Sequence, residues 1–146
     1  MSKKRSQARR HAVQAIYQWQ MVGHDVGEIT NQFLEEQDLD GFEVTYFQDL
    51  LQGVAKHLGD LDEFLKPALD RAIESVDPVE RAILRLGSYE LCYKTEVPYR
   101  VVINEAVELA KVFGAEQGHK YVNGVLDQVA KQVRAVEIKA KQKQKG

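Results

Sequence analysis

Apolar residues return every three or four positions along almost the whole chain, the period of helices that bury one face. Ala12, Ala15, Ile16 and Trp19 form the first such stripe, with Ser6 as the expected N-cap and Gly23 as the residue that closes the helix. A second helix is expected over about Val26 to Gln37, with Ile29, Phe33 and Leu34 inward, and "QDLDG" breaks it. Val44, Phe47, Leu50, Leu51 and Val54 share a face of a third, from about Phe42 to Leu58, which Gly59 ends. The stretch "DLDEFLKPALDRAIESV" reads as a fourth helix kinked or broken at Pro67, because proline lacks a donor and crowds the preceding turn.

The next boundary is sharper. Asp77 is placed to cap and Pro78 sits at the first helical position, with Glu80 in the first turn where the helix dipole favours an acid. Val79, Ile83, Leu84, Leu86, Tyr89, Glu90 and Tyr93 make this helix too apolar for a surface element, so it is expected at the centre. Pro98 opens another, with Val102, Ile103, Ala106, Val107, Ala110 and Phe113 inward and Gly114 at its end. A last helix begins near Gly118 and buries Val122, Val125, Leu126, Val129 and Val133. Gly124 lies inside it, and close approach of a neighbouring helix is the first explanation for that glycine. The residues that follow, "IKAKQKQKG", carry too little apolar surface to fold and are expected as a disordered basic tail over 136–146. No strand period occurs. The fold class is all-α, a bundle of about seven helices.

At 146 residues the chain is large enough for one domain with a real core. No apolar run is long enough to span a membrane. The basic N-terminus lacks the apolar segment of a signal peptide. A single cysteine, Cys92, permits no internal disulfide and fits a reducing cytoplasm; its apolar surroundings suit a packed thiol. The four histidines are scattered, and there is no metal-ligand spacing, phosphate-binding loop or nucleophile elbow. Neither catalytic residues nor a cofactor nor a metal is expected.

Charge changes the picture. The net charge is only −2, yet residues 1–11 hold Lys3, Lys4, Arg5, Arg9 and Arg10 and no acid. Residues 131–146 hold six further cations, Arg134 among them, against Glu137 alone. The body between is strongly acidic. Basic ends on an acidic body suit a polyanion, though solubilising tails would look the same. Arginine forks onto phosphates and stacks on bases, so Arg5, Arg9 and Arg10 at a helix start are candidates for single-stranded RNA; salt bridges to the acidic body are the other reading.

"ARRHAVQAIYQWQ", "YFQDLLQGV" at Tyr46–Val54, "VERAILRLGSYEL" at Val79–Leu91, "VPYRVVINEAVELAKVFG" at Val97–Gly114 and "KYVNGVLD" at Lys120–Asp127 together resemble the bacterial NusB family of transcription antitermination factors. The resemblance runs from about Arg5 to Gln132. It implies a helical bundle in two subdomains, about 5–66 and 67–135. It also implies a non-enzymatic role: pairing with the ribosomal protein NusE, binding boxA in nascent ribosomal RNA, and supporting read-through by RNA polymerase with other Nus factors. By the same resemblance Arg5, Arg9 and Arg10 would touch RNA, joined by Gln117, His119, Lys120 and Tyr121 at the start of the last helix. Gln117 replaces a commonly acidic residue there, and Tyr121 a usual phenylalanine. Glu80 and Arg81 are candidates for the partner surface. A NusB-like domain also occurs fused to RNA methyltransferases, but no βαβ pattern follows the helices here. A protein-only adaptor with decorative basic ends is the remaining alternative.

Overall fold

The computed structural model describes residues 3–145. Among them run eight α-helices: α1 (Lys3–Val22), α2 (Val26–Glu36), α3 (Val44–Lys56), α4 (Leu58–Leu65), α5 (Pro78–Tyr93), α6 (Tyr99–Phe113), α7 (Gly118–Val133) and α8 (Ala135–Lys145). No strand occurs among the described residues. The all-α expectation holds.

Most of the punctuation follows the sequence, but Gly59, expected to end the third helix, lies inside α4, because α3 stops at Lys56. Gly23 takes φ +74° and its N–H returns to the Trp19 carbonyl at 3.0 Å. Asp77 Oδ1 accepts from the backbone N–H groups of Val79 and Glu80 at 3.0 and 3.2 Å, capping α5. Pro67 does end α4: short 3-10 turns at Lys66–Ala68 and Ile73–Ser75 carry the chain across to α5. Ser6, by contrast, is not a cap. Helix α1 starts at Lys3, and Ser6 instead donates to Glu105 Oε1 at 2.6 Å.

Helix α5 is the hub, buried without interruption from Ala82 to Leu91. It packs on α1, α3, α4, α6 and α7, while α2 lies across α1 and α3. Three buried arginines brace this arrangement. Arg9 joins α1 to Glu90 of α5 and Glu105 of α6. Arg85 joins α5 to Asp62 of α4 at 2.9 Å and to Gln20 of α1. Arg134 spans the gap from the end of α7 to the end of α5, donating to the carbonyls of Leu91, Glu90 and Lys94.

Two further expectations need correction. The basic tail is helical through Lys145, with Gly146 outside the described residues. Ala, Lys and Gln are good helix formers, and three anchors hold α8 in place. Glu137 accepts from Arg134 and from the Tyr99 N–H, at 2.7 and 2.9 Å; Ile138 rests on the core; the Lys141 ammonium lies 5.3 Å from the Tyr99 ring centre. Gly124 does not mark a close helix contact either, since a Cβ added there would meet nothing within 4 Å.

Candidate nucleic-acid interface

Helical geometry sends the three N-terminal arginines to different places. Arg5 and Arg9 are one turn apart and face the same side, whereas Arg10 is turned about 100° away. Arg5, partly exposed, donates to Glu43 at 3.2 and 3.3 Å and lies 4.1 Å from the Tyr46 ring centre. That hydrogen bond raises its pKa further.

Arg9 is a core residue, 1% exposed. Its guanidinium takes both oxygens of Glu90 at 2.9–3.1 Å and Glu105 Oε1 at 2.7 Å. Tyr46 completes the cluster by donating to Glu90 Oε2 at 2.5 Å. Burial works to lower the Arg9 pKa, but the hydrogen bonds and charge of Glu90 outweigh it and the net shift is upward. Burial and Glu90 together push the Tyr46 hydroxyl up. A guanidinium so enclosed cannot fork onto a phosphate, so the surface role expected for Arg9 is replaced by an internal one.

Arg10 is the arginine turned toward the other strip. Its guanidinium lies 5.8 Å from the ring centre of Phe113, the last residue of α6. Among the described residues no carboxylate comes within ion-pair distance of it. Phe113 joins Val13, Gln14 and Tyr17 of α1 and Val79 of α5 around an apolar hollow of about 170 Å³. One residue after Val79, Glu80 reaches the start of α7, where its carboxyl group lies 3.1 Å from the position of a Cβ on Gly118. Burial, then the neighbouring Asp77, raises the Glu80 pKa.

The other predicted strip begins there. Gln117 holds φ +73°, a left-handed turn uncommon for a side-chain-bearing residue, and its carbonyl accepts from the Lys120 N–H at 3.1 Å. Lys120 is exposed and His119 half-buried. Tyr121 is half-buried and donates its hydroxyl to Asp70 Oδ1 at 3.1 Å, while the Arg71 guanidinium lies 5.4 Å from its ring centre. Arg10 at Phe113, the hollow shared by Phe113 and Val79, and Glu80 at Gly118 thus bring the end of α6 and the start of α7, which carries Lys120 and Tyr121, to neighbouring positions, although more than a hundred residues separate Arg10 from Tyr121. Arg81 is not among these residues. About 100° round the helix from Glu80, it donates to the Glu74 carbonyl and lines a hollow with Trp19 and Arg85.

Sequence reasoning missed Glu90 and Glu105 as the partners of Arg9, and Asp70 and Arg71 as neighbours of Tyr121. The first pair was detectable, because an acid on a helix face otherwise made of core residues calls for a buried cation. The second pair sits in a loop, where periodicity is silent. Cys92, half-buried, has its pKa pushed up to about 11 by burial, which keeps the thiol protonated and inert.

An all-helical protein whose candidate site is cations and aromatic rings at helix ends is built as a docking surface. The comparisons give that class a family. The model of the NusB family matches residues 6–131, and the chain belongs to the NusB family. The transcription antitermination protein NusB of Nitrosococcus oceani is 57% identical over 141 residues, covering 97% of this chain and 95% of its own. That of Shewanella amazonensis is 59% identical over 125 residues, covering 86% and 93%. Among solved structures, NusB of T. maritima has a TM-score of 0.79 at 30% identity, over 90% of this chain and 93% of that one. A complex of antitermination factors NusB and NusE with double-stranded RNA gives 0.81 at 30% identity, over 90% and 99%.

Proposed function

We propose that this protein is a cytoplasmic, non-enzymatic adaptor of transcription antitermination. With NusE it binds boxA in nascent ribosomal RNA as a single strand and, alongside other Nus factors, supports read-through by RNA polymerase. What supports the reading is that Arg10, against Phe113 at the end of α6, lies near the start of α7, which carries Lys120 and Tyr121. Two cations and an aromatic ring are what a single strand requires, phosphate contact and base stacking side by side. Gln117 and His119 lie beside Lys120 and join the RNA surface, and Arg5, on another face of α1 near Val97 and Val101, adds its partly exposed edge. Arg9 contributes by fixing the helix that carries Arg10.

Glu80 and the apolar hollow formed by Val13, Tyr17, Val79 and Phe113 are assigned to NusE. An apolar pocket edged by a carboxylate suits a protein partner better than a polyanion. Arg81, turned instead to the Glu74 carbonyl and the hollow beside Trp19, is left out of that surface. The likeness to the NusB–NusE–RNA complex supports the pairing.

The test is binding of a labelled single-stranded boxA RNA, with and without NusE, at two salt concentrations. Tighter binding with NusE is expected, with log K falling as salt rises by about 0.7 per phosphate neutralised. Arg10→Ala and Lys120→Ala should each weaken binding and make that dependence shallower. Unchanged binding by both variants overturns the assignment. Preference for a duplex of the same sequence would overturn the single-strand reading.

A further inference from the structure

The loop between α4 and α5 places two residues against Tyr121 that no sequence motif singled out. Asp70 and Arg71 form a two-pronged ion pair, Nε to Oδ1 at 2.7 Å and Nη2 to Oδ2 at 2.9 Å, with both side chains more than half exposed. Asp70 also accepts the Tyr121 hydroxyl hydrogen bond, and the Arg71 guanidinium lies over the Tyr121 ring, 5.4 Å from its centre. Glu80 adds a further attraction for Arg71 from the start of α5. The ring is held at its hydroxyl and approached by a planar cation.

We propose that Asp70 and Arg71 form a displaceable lid on Tyr121, and that Arg71 is a further RNA-contact residue. As a base stacks on the ring, Arg71 leaves Asp70 for a backbone phosphate. This rests on the reading of the α7 rim as the RNA surface.

Three physical points support the exchange. An exposed ion pair is worth at most about 1 kcal/mol, so little holds the lid shut. A phosphate presents the guanidinium with the same fork of oxygens that Asp70 does, so Arg71 changes partner without changing geometry. The ring that the Arg71 guanidinium approaches is the platform a base would use. Asp70 is then a positioning residue with two duties: it fixes the tyrosine hydroxyl and competes for Arg71 until RNA arrives. Its hydrogen bond from Arg71 lowers its carboxyl pKa to about 2, so it remains an anion throughout the physiological range.

The experiment is fluorescence anisotropy of a labelled single-stranded boxA RNA with the full chain and NusE. Asp70→Asn keeps an oxygen for the Tyr121 hydroxyl but removes the competing charge. Its affinity should rise about two- to five-fold, the scale of a surface ion pair. Arg71→Ala should lower affinity and make the dependence of log K on log salt shallower by about 0.7. In the Arg71→Ala background, Asp70→Asn should give no gain. Glu35→Gln, at an exposed acid of α2, controls for net charge and should change nothing. The proposal is overturned if Arg71→Ala leaves affinity and salt dependence intact, or if Asp70→Asn gains as much without Arg71. Lys120→Ala separates the two layers. If it weakens binding while Arg71→Ala does not, the rim stands and the lid falls; if neither weakens binding, both fall.

Discussion

Arg9 and Glu90 meet in the interior, Nη2 2.9 Å from Oε2, with each side chain 1% exposed. Glu105 takes another edge of the same guanidinium and Tyr46 donates to the same carboxylate, so three helices and a phenol converge on one cation. Buried charges are tolerated only in such company, and removing one partner strands the others. Arg9→Ala is therefore expected to cost about 3–5 kcal/mol. A fall in the urea midpoint at unchanged m-value reads this out. Arg10→Ala, at a half-buried residue with no carboxylate in ion-pair distance among the described residues, should stay within about 0.5 kcal/mol of the parent. Equal midpoints for the two variants would contradict the division of labour between these adjacent arginines.

That division explains what the sequence made legible. Helix boundaries at Gly23, Pro67, Asp77–Pro78 and Gly114 were readable because each rests on local backbone chemistry. The central place of α5 followed from its apolar density. Arg9 and Arg10 look alike as letters, and only the 100° between consecutive helical positions separates a core brace from a surface cation. The clue lay elsewhere, in Glu90 and Glu105 at inward positions of their helices. Tail helix α8 was illegible for a similar reason. Its anchors are the Tyr99 N–H and Arg134, which long-range packing supplies and local pattern does not. Asp70 and Arg71 reach Tyr121 only because the chain turns back after Pro67.

Arg134 counts as a tail cation by sequence but is 4% exposed in the structure. It satisfies carbonyls at the end of α5, which a helix terminus otherwise leaves unpaired, and holds Glu137 of α8 at 2.7 Å. Arg134→Ala should destabilise by about 2–4 kcal/mol through these lost charge-assisted bonds. It should also release α8, seen as faster amide exchange over 135–145 than in the parent. Unchanged protection there would mean that Ile138 and Lys141 suffice to hold the helix.

His11 packs its ring 4.5 Å from that of Phe42 and 6.4 Å from that of Phe33, and its Nδ1 is buried with no partner among the described residues. Burial, then the charge of Arg10, lowers its pKa below the ordinary 6.5. The unfolded chain therefore takes up this proton more readily than the folded one, and stability falls as pH drops below about 6.5. Above that value the contribution is complete. Urea unfolding at pH 7.5 and 5.5 should show a loss in the parent that is smaller in His11→Phe. An equal loss in both would assign the acid sensitivity to other groups.

Two helical glycines look interchangeable and should respond oppositely to alanine. At Gly53 a Cβ would lie 2.2 Å from the Tyr89 ring, and that ring cannot yield, being 6% exposed and tied to Asp49 Oδ1 by a 2.7 Å hydrogen bond. Gly53→Ala should cost about 1–3 kcal/mol through overpacking between α3 and α5. At Gly124 a Cβ meets nothing within 4 Å, and the residue is exposed on α7. Only the backbone entropy of glycine acts there, so Gly124→Ala should stabilise by about 1 kcal/mol. Gly124 also lies one helical turn after Lys120, on the same face of α7. If the added methyl raises the urea midpoint yet weakens boxA RNA binding, the glycine is there to admit the nucleic acid backbone. If it raises the midpoint and binding is unchanged, the position is simply not optimised for helix stability.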